Sequence, residues 1–324
     1  MAWSRSIGGN KKPRFREALL AAAIGLASAG LFSTGAMATT FPFTINPDAL
    51  GVTGYSPQTV TDIQGTSFAL VQQIAPSTQF EQGVIQFSSF QNTTSALSGS
   101  LTGLSLAPGF SNTYGLYATF STTVTGISGF TPGASGSVGA GAFNFVIYAD
   151  PTAADVFTPA VSSSTGGTAP SVQDNTTYNS TTKTGDGKPN DVVIAYGTSL
   201  NGSAGITQTA GSPFLDVTST FNVCNGTTAV GSPCGTFDAT KFLTSPTPFY
   251  NFAITSTISG SANNLGTPNP GTPGVAPPNV TLNGIVSDTN FSVPEPSSLA
   301  LMGTFLLGLV GLIAFRPRAR LTNG

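Results

Sequence analysis

The stretch TGDGKPNDV sets Asp186, Asn190 and Asp191 close together around Gly187. Oxygen side chains converging from a tight turn suit a hard cation such as Ca²⁺. A full loop of that kind would carry acids where Thr182 and Thr184 stand. The stretch therefore reads either as a polar hairpin turn or as a weak Ca²⁺ site built on Asp186, Asn190 and Asp191. Other chemistry is hard to assemble. The chain contains no histidine, which removes the Ser–His–Asp triad, the Cys–His dyad and the common zinc sites. A glycosidase needs two facing carboxyl groups. Between the two ends the chain offers one Glu, Glu81, and ten scattered Asp. No motif surrounds Lys183, Lys188 or Lys241 that would support a Ser–Lys nucleophile. The expectation is a protein without catalytic residues and without a cofactor beyond that Ca²⁺ candidate.

Cys224 and Cys234 bracket the loop CNGTTAVGSPC. In an oxidising compartment they would pair, and closing a loop of that length contributes about 2.7 kcal/mol in the chain-entropy treatment.

The elements that must position these residues read as strands. YGLYATFSTTV puts Tyr114, Leu116, Ala118, Phe120 and Val124 on one side, and FYNFAITSTIS does the same with Tyr250, Phe252, Ile254 and Ile258. FNFVIYAD is apolar on both faces. Phe41–Ile45, Ser67–Ile74, Phe80–Phe90, Asp191–Tyr196, Pro213–Phe221 and Val280–Val286 are further candidates, separated by turn-forming residues. No helical stripe of useful length competes with them. About ten strands in the body, residues 39–292, predict an all-β antiparallel sandwich of two sheets. Thr158–Asn190 and Ser259–Pro278 are rich in Ser, Thr, Gly, Asn and Pro, and read as mobile loops.

Charge is concentrated at the two ends. Five of the eleven basic residues lie in the first sixteen positions, and Arg316, Arg318 and Arg320 close the tail. From Thr39 to Asn290 three lysines face eleven Asp and Glu, a net charge of −8 with no arginine. Such a body is a poor phosphate binder, so no nucleic-acid partner is expected. The front end has the order of a secretory signal peptide over residues 1–38: a basic segment to Arg16, an apolar stretch from Ala18 to Phe32, and the A-x-A site Ala36–Met37–Ala38 ahead of Thr39. Near the other end, Leu299 to Phe315 is apolar or small apart from Thr304. Its length is the minimum for one membrane-spanning helix. The three arginines that follow would stay on the cytoplasmic side, which leaves the body outside.

Val293, Pro294, Glu295 and Pro296 precede that segment, and the whole run from Val293 to Arg320 resembles the PEP-CTERM sorting signal of exopolysaccharide-producing Gram-negative bacteria. The resemblance implies an exosortase as partner, an integral membrane enzyme that cuts near the motif and passes the body outward. Glu295 is then a recognition residue, residues 293–324 are the sorting segment, and the helix is a transient inner-membrane anchor. The two prolines suit this, because neither can extend a helix upstream. FPFTINPDALG, YGLYATF and PTPFYNFAITST resemble the flocculation-associated branch of the same family. That implies a surface or extracellular-matrix protein, structural or adhesive, acting with exopolysaccharide in flocculation or biofilm formation. The alternative is a carbohydrate- or Ca²⁺-binding module with a defined pocket.

Overall fold

A computed structural model describes residues 39–40, 42–51, 57–92, 95–96, 114–151, 155–173, 178–179, 184–185, 190–206, 213–245, 252–259 and 265–293. Ala36 and Ala38, Asp186, the motif residues Pro294, Glu295 and Pro296, the segment 299–315, and Arg316, Arg318 and Arg320 lie outside the described residues. Among the described residues no helix is long and apolar enough to cross a membrane.

Eight long strands carry the body: β1 (Asp62–Ala75), β2 (Thr78–Asn92), β3 (Gly115–Thr125), β4 (Ser135–Asp150), β5 (Val192–Ile206), β6 (Pro213–Val223), β7 (Phe252–Ser259) and β8 (Asn279–Val293). Their period of two explains why they form. Along β6, Pro213, Leu215, Val217, Ser219 and Phe221 are buried, while Phe214, Asp216, Thr218, Thr220 and Asn222 between them are more exposed. Each strand pairs antiparallel with the next, and β8 pairs back onto β1, with Val280 opposite Val71 and Ile285 opposite Ser67. The sheet therefore closes into a ring. Short strands at Thr39–Thr40 beside β8 and Ser95–Ala96 beside β2 bring it to ten.

The all-β antiparallel expectation stands, with one correction: the hydrogen-bonded ladder is continuous where two separate sheets were expected. Alternation says which face a strand buries, and says nothing about whether the last strand meets the first. Closure pairs the two edges that an open sheet would leave exposed.

Phe120, Phe143, Phe145 and Phe221 form a chain of rings through the core, with successive centroids 5.7, 5.9 and 6.3 Å apart. Glycines on the paired strands leave room for them. A Cβ on Gly83 would lie 2.3 Å from the Phe120 ring, and one on Gly197 would lie 2.5 Å from the Phe145 ring and 1.9 Å from the Thr220 carbonyl oxygen. One end of the ring packs against a small sheet of Phe43–Ile45, Gln58–Val60 and Leu243–Ser245. There Phe43 meets Phe90 and Tyr114 meets Phe242, both edge-on. The disulfide Cys224–Cys234, with 5.4 Å between the Cα atoms, ties the chain just after β6.

Both stretches expected as mobile loops are in part structured. Val156–Thr158 and Ser171–Gln173 pair as a hairpin, and Phe157 packs on the outer face of the ring with Phe68, Val84 and Tyr117. Residues 265–278 are held by bridges between Asn269 and Asn279 and between Thr272 and Ala276. The fully buried Asn279 amide donates to the Ser163 carbonyl at 2.8 Å and accepts from the Ser163 N–H at 3.2 Å. Pro and Gly forbid a long ladder, but they do not prevent one buried amide from fastening two loops together.

Candidate functional site

Among the described residues, an acidic cluster and a cavity with a buried acid lie at opposite ends of the ring. At the first, the pairing of Gly115 with Asp150 and of Val192 with Ala149 aligns the start of β3, the end of β4 and the start of β5. Carboxylate oxygens of Asp150, Asp155 and Asp191 lie within 4.8 Å of one another there. Asp150 and Asp155 are buried and Asp191 is half-buried. The Asp155 N–H donates to Asp150 Oδ2 at 3.1 Å, and the Tyr117 hydroxyl donates to Asp191 Oδ2. Tyr117 also stacks on Tyr148, with centroids 5.0 Å apart and planes 12° from parallel.

Burial, and then the charge and hydrogen bond of Asp191, push the Tyr117 hydroxyl far above the ordinary tyrosine value, so it stays a proton donor. Three carboxyl groups at this separation repel when ionised. Hard-cation coordination would relieve the repulsion, and an all-oxygen donor set is what Ca²⁺ takes.

Asp191 from the sequence candidates is a member of this cluster. Asn190 adjoins it, half-buried, and Asp186 is outside the described residues. Asp150 and Asp155 were not among the candidates. The available signal was an acid closing the apolar strand FNFVIYAD, with a second acid shortly after it.

At the opposite end, a cavity of about 30 Å³ lies among Val71, Val124, Ile127, Phe130, Leu265 and Leu282, with Gln79 and Glu81 also in its wall. The β3–β4 turn folds over this end. Gln79 Nε2 donates to the Gly129 carbonyl at 2.7 Å and to Gln73 Oε1 at 3.1 Å, and the Gly129 N–H donates to Gln73 Oε1 at 3.1 Å. Glu81 sits on the inward face of β2 and is 7% exposed. Its carboxyl has no hydrogen bond or ion pair among the described residues. Burial raises its pKa from 4.5 to about 7. Glu81 was read in the sequence only as half of a missing carboxylate pair. Its alternation with Gly83, Ile85 and Phe87 was the signal that it points inward.

No protein-family model, curated protein or solved structure matches the chain. Function has to be argued from the residues and their placement. Of the expected processing positions, Thr39 opens the short strand beside β8, and Val293 is the last residue of β8. The compact unit built on these strands runs from Thr40 to Pro294.

Proposed function

We propose that this chain is an exported, exosortase-processed protein of the cell surface or extracellular matrix. Its role is structural and adhesive, exerted with exopolysaccharide or a cell-surface glycan in flocculation or biofilm formation. One observation carries the reading. The compact unit, Thr40–Pro294, coincides with the segment between the two expected processing points, the Ala38–Thr39 junction and the Val293–Pro296 motif. Cutting at either point leaves every strand of the ring whole, because β8 ends at Val293. The partly exposed positions of the strands support the choice of partner. Gln64, Thr66, Gln82, Gln86, Thr119, Ser121 and Thr218 offer hydroxyls and amides that hydrogen-bond a sugar polymer without charge. On this reading the inner membrane is a transient station, held by residues 299–315 until the exosortase acts.

Deleting Pro294–Pro296 in the parent strain tests this directly. The expected result is an unprocessed chain retained in the inner-membrane fraction and weaker floc formation. Unchanged processing, location and aggregation would refute the reading.

A second reading is favoured by the meeting of Asp191 with Asp150 and Asp155: a Ca²⁺-stabilised glycan-binding module. In it the cation neutralises the acidic cluster, and the stacked pair Tyr117–Tyr148 is held rigidly beside it.

A further inference from the structure

We propose that the cavity under the β3–β4 turn binds a small organic cation, a short-chain primary alkylammonium, with Glu81 as its counter-ion. The site is separate from the acidic cluster and does not depend on the export reading. Three properties of the cavity select the ligand.

The first is charge. Glu81 is directed into the cavity, more than nine-tenths buried, and without a partner among the described residues. A buried carboxylate left uncompensated is unfavourable, and a cation of matching size removes the penalty. The described walls, contributed by β1, β2, β3, β5, β6, β8, the β3–β4 turn and the segment at Leu265, carry no other titratable or charged group. Among the described wall residues no cation competes for the carboxylate.

The second is size. A volume of about 30 Å³ is roughly twice what one water needs. Two to three non-hydrogen atoms fit, an ammonium with one or two carbons.

The third is donor chemistry. Ca²⁺ and Mg²⁺ ask for about six or more oxygen ligands, whereas the described wall offers two polar side chains. One of these, Gln79, already spends its amide nitrogen on Gln73 and Gly129. An alkylammonium asks for one carboxylate, apolar surroundings for its carbons and, favourably, an aromatic neighbour such as Phe130. Binding to the protonated acid releases one proton to solvent, so the site charges as it fills.

The test is isothermal titration of the purified full chain with ethylammonium chloride in phosphate buffer, with ethanol and sodium chloride as controls. Saturable binding of ethylammonium alone is expected. It should be about tenfold tighter at pH 8 than at pH 6, because the carboxyl passes from mostly protonated to mostly ionised across a pKa of about 7. Glu81→Gln should abolish binding. Ala204→Val should abolish it too, filling the cavity while leaving the acid in place, and Asp216→Asn, exposed on β6, should leave it intact. No saturable heat with ethylammonium, an equal response to ethanol, or undiminished binding by both Glu81→Gln and Ala204→Val would overturn the proposal.

Discussion

Replacing Glu81 with Gln should stabilise the protein at pH 8 by about 3 kcal/mol and leave it nearly unchanged at pH 4. The carboxyl titrates at 4.5 when solvated and at about 7 in the folded chain, with burial as the cause. Between those values the folded state holds a proton that the unfolded state has lost, so stability falls as pH rises through the window. Below 4.5 both states are protonated and nothing is lost. Above about 7 both are ionised and the loss is complete. At 1.36 kcal/mol per pH unit the loss reaches about 3 kcal/mol. Gln keeps the shape and never ionises, so this contribution should be absent from the variant across the same range.

Urea unfolding followed by far-ultraviolet circular dichroism, at pH 4, 6 and 8 with the disulfide intact, measures this. The buffer must be free of amines, since a bound ammonium would stabilise the ionised form and mask the effect. If parent and variant agreed within about 0.5 kcal/mol at pH 8, or if their difference were the same at pH 4 and pH 8, the claim that burial raises the Glu81 carboxyl would fail.

Further outcomes concern the ring and its other end. Gly197→Ala should destabilise by about 3 kcal/mol or more in the same urea assay, because the new methyl would meet the Thr220 carbonyl and the Phe145 ring; a change below about 1 kcal/mol would contradict that packing. The Cys224→Ser/Cys234→Ser double variant should lose about 2.7 kcal/mol relative to the oxidised parent, and equal stabilities would show that the bridge constrains little. Saturating Ca²⁺ should raise the melting temperature of the parent, through preferential binding to the folded state, but not that of Asp155→Asn. Identical melting of the parent in Ca²⁺ and in chelator would sink the second functional reading.

Much of this protein was readable from residue order alone, wherever the information is local. The period of two in YGLYATFSTTV and FNFVIYAD is a property of the extended backbone, so strands appear there. A ten-residue separation between cysteines makes a loop short enough to bridge, and Cys224 and Cys234 are joined. What pairing at a distance decides was not readable. Val280 opposite Val71 closes the ring, yet neither residue's neighbours say that these two edges meet. Asp150 and Asp191 become neighbours because Val192 of β5 pairs with Ala149 of β4, and a one-residue slip there would send their side chains to opposite faces. Glu81 lay in between. Its alternation fixed the face it occupies, but only the closed ring made that face an interior with no cation among the described residues. The sequence by itself determined which residues could be buried, because alternation is a local property of the strand. The tertiary structure decided which acids are brought together and which one lines an apolar interior.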